Sequence, residues 1–368
     1  MIVYVILIGF LFVLLFVDRL IVVKRFAYTT IGNSFVVIDS NPPAKQARQF
    51  SFTYKLALLT IFCFTAFRFN VGWDYIAYYN TIKYYATTNI VSNGEYLNIF
   101  LIEMSRKLNM TNLYFFVNAL IVLFFTFRTI KDYSKDIWLS LLFFVGFPLF
   151  FLNSLSVIRL FSAVAISFYG FRFMESRKFY RYAITILIAS MFHKSAIISL
   201  MFYFLKDLKL KTYKQGLILT ILPILSTLIN KFVINFVPRY SVYTELTSVQ
   251  EGTKAIVVFV VLGIFSLFFR ERITRNDNIA NMYYNLFYVG LCVYLMFLKQ
   301  GTMGHRLSLY GTIYSLLLVP HLVSLFKDGK ERAFLKMIIY TFCVVAFLFT
   351  VYVGAETYIP YKTIWSRY

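Results

Sequence analysis

Much of this chain is written in apolar runs long enough to cross a lipid bilayer, and that leaves few other ways for it to fold. A span takes about 20 apolar residues, within a range of ~17–25. Residues 2–17, 54–69, 112–130, 136–153, 156–174, 213–236, 254–270, 279–299, 305–326 and 333–353 qualify. Residues 178–193 and 194–206 add two short pieces if the chain reverses at His193. At 368 residues, 60% hydrophobic and 14% charged, the chain reads as an all-α polytopic membrane protein of about twelve transmembrane segments. The first run has no charge ahead of its core and no clear small-residue cleavage site, so it is expected to stay as an anchor. No Gly/Ser linker divides residues 1–368, which are read as one membrane domain.

Lysine and arginine in the connecting loops set the orientation, because retained cytoplasmic loops are the basic ones. Arg19, Lys24, Arg25, Lys45, Arg48 and Lys55 flank the first loop and make residues 18–53 cytoplasmic. Further clusters follow at 128–135, 172–181, 206–214, 270–275 and 327–336. If 178–206 were one span, the third of these clusters and those after it would fall on the outer side. A reversal at His193 makes every cluster cytoplasmic, which places His193 at an outer tip and both termini outside. Most of the net charge of +21 then sits in cytoplasmic loops. The positive excess left on the outer face points to an anionic ligand there.

The tip itself reads Ser190-Met-Phe-His-Lys-Ser-Ala196, a histidine and a lysine between two apolar arms. Ionisable groups at membrane depth cost at least ~2.5–3.5 kcal/mol on insertion scales and are usually functional. Other chemistry-bearing residues gather on the same face. Arg68, Trp73, Asp74, Tyr75 and Glu95 fall in an outer segment, 70–111 with its flank, where 97–108 forms a short amphipathic helix. Arg159 lies about one turn inside its span; the 237–252 loop adds Arg239, Tyr240 and Tyr243; His305, Arg306 and Tyr310 open a late span. Each has a structural alternative: snorkelling for the arginines, an interfacial belt for the aromatics, capping for the histidines. Their gathering on one face is the stronger signal.

Several classes lose support. No Walker A loop, GxGxxG, HExxH or Gly-x-Ser-x-Gly element occurs. The three cysteines, Cys63, Cys292 and Cys343, are too scattered for a zinc site or a disulfide framework. No basic stripe comes with a nucleic-acid-binding motif.

The run from Asn153 to Leu205 closely resembles the EpsG-like branch of the Wzy-type polysaccharide polymerases. An arginine opens an Ala-rich span, a basic turn follows, and a second span ends in Ala-x-x-Phe-His-x-Ser-Ala, here Ala189 to Ala196. Arg68, Gly72, Asp74 and Tyr75, followed by Glu95, resemble an earlier element of that family. Gly304, Arg306 and Tyr310 resemble a later one. Where the family commonly has Arg-Gln, this chain has Arg159-Leu160.

The resemblance implies a glycosyltransferase of the bacterial inner membrane. It would join oligosaccharide repeats carried on undecaprenyl diphosphate at the extracytoplasmic surface, for an exopolysaccharide, capsule or O-antigen. Arg68, Arg159, Arg306 and Lys194 are then the expected diphosphate ligands. His193, Asp74 and Glu95 compete as general base, with His193 favoured for its ordinary pKa near 6.5. Trp73, Tyr75 and Tyr310 are the expected sugar contacts. No metal and no cofactor is expected, since arginines can take up the charge on the leaving group. The implied partners are lipid-linked oligosaccharides, membrane lipid and a chain-length regulator of the same pathway, with no nucleic acid. A flippase for the same lipid-linked repeats, or a related ligase, remains the alternative.

Overall fold

A computed structural model of the chain describes residues 1–29, 51–84, 94–236, 253–275, 277–298 and 302–366. These are helical almost throughout; one two-residue antiparallel ladder pairs Arg68–Phe69 with Lys362–Thr363, Arg68 opposite Thr363. Five helices are long and apolar enough to span a bilayer: Ile2–Ile21, Thr111–Tyr133, Thr212–Ile229, Asn278–Met296 and Gly329–Val353. Met303–Thr312 and Ser315–Ser324, bent by 48°, make a sixth if taken together. The other apolar runs hold shorter helices, including Phe52–Ala66, Ile137–Gly146, Phe179–Ser190 and Ile256–Phe268. By length and composition, the described residues thus provide fewer spans than the twelve the apolar runs suggest.

Local chemistry explains the shortening. The 136–153 run is broken between Ile137–Gly146 and Phe151–Ser156, and Pro148 lies in the gap, where it supplies no N–H for a helix to continue. The 156–174 run divides at Gly170 into Ile158–Tyr169 and Phe171–Glu175. In the other direction, the first helix runs on through Asp18 and Arg19 to Thr29. Residues 30–50 of the expected cytoplasmic loop lie outside the described residues, as do 85–93 and the 237–252 loop with Arg239, Tyr240 and Tyr243.

Two of the short helices form the centre. Every residue from Trp138 to Gly146 and from Leu160 to Phe168 is buried, the all-round apolar character of a helix surrounded by others. Longer helices pack outside them and turn apolar side chains outward, among them Phe16, Ile224, Leu228, Val261 and Tyr352. Such faces suit hydrocarbon and are rare on soluble monomers. Gly290 and Gly311 let the Asn278–Met296 and Thr302–Thr312 helices touch backbone to backbone, since a Cβ on Gly290 would lie 2.6 Å from the Gly311 backbone. Small residues at a crossing are the usual means of close helix approach in membranes.

The bundle has two distinct ends. At one, acids meet basic loops: Arg19 and Lys336 both pair with Asp136, at 3.3 and 2.6 Å, and Lys135 pairs with Asp277 at 3.2 Å. At the other end the first helix meets the tail, where the Tyr4 hydroxyl donates to the Tyr358 carbonyl at 2.8 Å. Tyr361 donates to the Phe64 carbonyl at 2.7 Å. His193 belongs to this second end. The chain reverses there, and the two arms return together to the basic end, where Arg177 reaches Asp207 at 2.6 Å. The Tyr182 hydroxyl also donates to the Ser199 carbonyl across the arms.

Candidate functional site

The rising arm of the reversal, Phe179–Ser190, has 12 residues and rises about 18 Å. The descending arm starts as a 3₁₀-helix of 8 residues, Lys194–Met201, or roughly 16 Å. Each is shorter than a hydrocarbon layer of ~30 Å is thick. The tip is braced from the side. Leu97 and Asn98, opening the Tyr96–Lys107 helix, donate their N–H groups to the Met191 carbonyl at 3.1 and 3.2 Å. That fixes Glu95 beside the tip.

Glu95 is 2% exposed, and both its oxygens are engaged. Oε1 accepts the Lys194 N–H at 3.1 Å, and Oε2 is paired with Arg159 Nη1. Buried carboxylates persist when a cation and further donors hold them in this way. The charges of Arg159, Asp74 and Glu95 all reach the Tyr78 phenol, whose pKa is raised, first by burial. Tyr78 stacks on Tyr114 at 4.9 Å between ring centres. Tyr114 donates to Asn98 Oδ1 at 2.8 Å, and Ser162 to Asn118 Oδ1 at 2.7 Å. A polar layer thus lies beneath the ion pair.

His193 caps the 3₁₀-helix. Its Nδ1 accepts the Ser195 N–H at 3.3 Å and lies 2.7 Å from the Ser195 hydroxyl, which is 2.9 Å from the Tyr310 hydroxyl. A backbone N–H can only donate, so Nδ1 is the acceptor and the neutral ring carries its proton on Nε2. Nε2 has no hydrogen-bond partner among the described residues. Burial first, then the nearby charges of Arg159 and Arg306, lower the pKa of this imidazole to about 3. It stands as a neutral N–H donor.

Two cations beside His193 have no carboxylate partner among the described residues. Arg306, half-buried near the start of the Thr302–Thr312 helix, makes no ion pair among the described residues, and its Nε is buried without a hydrogen-bond partner. Lys194 is exposed and likewise lacks an acid for its Nζ among the described residues. Its Cε packs over Gly94, whose φ of +95° and 3.0 Å clearance suit a residue without Cβ. His305 lies close by, its Nε2 3.1 Å from Asn153 Nδ2.

Asp74 is placed by Gly72. With φ at +102° and a virtual Cβ only 2.1 Å from the Leu155 carbonyl oxygen, that position accepts only glycine. The turn it makes lets Trp73 N–H reach the Ser156 hydroxyl at 3.3 Å and starts the Tyr75–Tyr84 helix at Asp74. Asp74 is half-buried, and Trp73 is 61% exposed.

Three of the residues singled out from the sequence take structural positions. Arg68 is 2% exposed. Its Nε and Nη2 donate to the carbonyls of Val71 and Leu155 at 3.1 and 3.2 Å, and Nη1 to that of Thr65. With all three nitrogens committed, it ties the 65–71 stretch to Leu155 rather than facing a ligand. Tyr75 is fully buried and stacked on Phe115 at 4.0 Å, which leaves no ring face for a sugar. Tyr310, 1% exposed, has its hydroxyl on that of Ser195. The sequence reading missed the roles of Ser195, Tyr78, Tyr114 and Asn98. Ser195 stood inside the SMFHKSA stretch; nothing in the sequence marks Tyr114.

A helical membrane protein with a charged, partly buried site at one end is the class that this fold defines. Within it, the sequence profile of the EpsG family matches residues 51–363, and the chain belongs to that family of exopolysaccharide and O-antigen polymerase-like proteins. No curated protein and no solved structure matches it. The family gives the chain a polysaccharide polymerase-like role.

Proposed function

We propose that this protein is a glycosyltransferase that polymerises oligosaccharide repeats carried on undecaprenyl diphosphate, at the extracytoplasmic face of a bacterial inner membrane. The chain would cross about twelve times, short helices included, with both termini and His193 outside and the basic end in the cytoplasm. The observation that carries this reading is the pair of cations without acids among the described residues, Arg306 and Lys194, beside the neutral N–H donor of His193.

The acceptor hydroxyl attacks the donor's anomeric carbon. A new glycosidic C–O bond forms, the C–O bond to the lipid diphosphate breaks, and the diphosphate leaves with the electron pair. Charge grows on that leaving oxygen, and donors already aimed at it lower the barrier. Arg306 and Lys194 supply fixed charge, and His193 Nε2–H supplies a hydrogen bond. Arg159, held by Glu95, completes the wall. The hydroxyl proton goes to a carboxylate. Asp74, half-buried where Glu95 is 2% exposed, is the carboxylate an acceptor can reach and is assigned as base. Trp73, the exposed aromatic beside it, offers a face to a sugar ring. His193 was the base favoured from sequence; the Ser195 N–H on Nδ1 supports the donor role in its place.

The reading is tested by deleting the gene and analysing the lipid-linked sugars. Single repeats on the lipid carrier, exposed at the outer surface, are the expected result. Repeats that accumulate only on the inner surface would make the protein a flippase, and intact polymer left on the carrier would make it a ligase.

A further inference from the structure

A cleft of about 610 Å³ lies at the basic end, far from His193. The bent helix pair links the two places: from Arg306 to His321 is 15 residues, or about 22 Å of helix. Arg272, Arg275 and Lys327 line the cleft with Asp277, Glu331 and His321. None of the three cations has an ion-pair partner among the described residues. Asp277 is already occupied, by Lys135 at 3.2 Å and by the Ala280 N–H at 2.9 Å. Three cations therefore face one uncommitted carboxylate, Glu331.

His321 is the unusual member. It is 4% exposed, and both ring nitrogens are buried without a hydrogen-bond partner. Its ring meets the edge of Tyr283 at 5.7 Å between centres. A neutral imidazole always carries one N–H to donate, and buried donors in native proteins are nearly always satisfied. We infer that this cleft is a binding site for a phosphate-ester anion, with His321 donating from its floor and Arg272, Arg275 and Lys327 holding the charge at its mouth. Arginine's planar fork suits phosphate oxygens, and a cation is disfavoured by the three side chains that already line the site. The volume falls within the ~300–1,000 Å³ of small-ligand pockets. The phosphate belongs either to a lipid headgroup or to a soluble ester. The inference does not depend on polymerase activity, and its test does not read that activity.

The chain has three histidines, so each imidazole can be assigned by single substitution in side-chain NMR spectra. The full-length protein in nanodiscs of digalactosyldiacylglycerol, a lipid without phosphate, is titrated with inorganic pyrophosphate. The His321 signal is expected to shift saturably, with a midpoint raised at least tenfold in the Arg275→Gln/Lys327→Gln variant and unchanged in Arg306→Gln. In phosphatidylglycerol nanodiscs, a His321 signal already displaced before titration assigns the site to lipid phosphate. A signal in its galactolipid position assigns it to a soluble ester. A His321 signal that stays still in both lipids, or that shifts equally in the double variant, overturns the site.

Discussion

The two ends of the bundle use charge in opposite ways. At the basic end, outside the cleft of Arg272, Arg275 and Lys327, cations meet acids repeatedly. Asp136 is shared by Arg19 and Lys336, Asp132 by Arg128 and Arg172, and Asp207 by Arg177 and Lys206. Most of these pairs are at least partly exposed, where each is worth ~0–1 kcal/mol; they hold loops in place on a surface that the topology already makes positive. At the His193 end the charges are fewer and deeper. Arg159 and Glu95 are paired, while Arg306 and Lys194 have no acid among the described residues. For half-buried Arg306 the lack of an acid costs stability, a cost that the proposed diphosphate would offset.

The largest effect should come from separating Arg159 and Glu95, whose side chains are 20% and 3% exposed. Glu95→Ala strands Arg159 and removes the anchor of Lys194 N–H, and breaking a buried pair costs ~3–5 kcal/mol. Thermal unfolding in detergent, with the amount of protein in the membrane, should show marked loss. Wild-type stability would mean the pair is better solvated than its burial implies.

His193 separates two roles. His193→Gln retains an N–H near the Nε2 position, so it should keep activity within a fewfold of wild type. His193→Ala loses a charge-assisted bond worth ~1.5–3 kcal/mol, or roughly ten- to a hundredfold in turnover. Equal losses of a hundredfold or more in both variants, at equal protein level, would restore His193 as the base and release Asp74 from that role.

A smaller effect follows from acid. The unfolded imidazole takes up a proton as pH falls through 6.5, whereas the folded one resists until about 3. Stability from this group is therefore complete above pH 6.5 and is lost as pH falls below it. At pH 5 the loss reaches about 1–2 kcal/mol. The drop in melting temperature from pH 7 to pH 5 should be smaller in His193→Gln, and an unchanged drop would place the imidazole in contact with solvent.

The smallest effect belongs to the basic end. Arg177→Ala removes a pair with Asp207 whose side chains are 67% and 37% exposed. It should change stability by at most ~1 kcal/mol and polymer yield not at all. Strong loss of polymer from this substitution would mean that the two ends are not separate in function.

Apolar runs announced the helices and loop charge announced the reversal at His193, because both follow from what a bilayer tolerates. Other features were less legible. In a chain this greasy, helical periodicity does not separate lipid-facing from core-facing sides, so Arg68 and Arg306 look alike in sequence. Only packing commits the donors of Arg68 to three carbonyls and leaves Arg306 without an acid. Tyr75 was mistaken for a sugar contact for the same reason. The first helix runs past Asp18 and Arg19 because charge ends an apolar run without ending a helix. Pro148 and Gly170 were visible, but their effect depended on whether neighbouring helices could cover the broken backbone.

The central claim is that the unpaired cations at the His193 end take up charge on a departing lipid diphosphate. Its direct test is polymer formation by the purified protein from an undecaprenyl-diphosphate-linked repeat, comparing wild type with Arg306→Ala at matched folding. Losing one donor to a developing charge costs ~2.7–4 kcal/mol, so the rate should fall about 10²–10³-fold, with added donor failing to restore it. A near wild-type rate from Arg306→Ala would contradict the account.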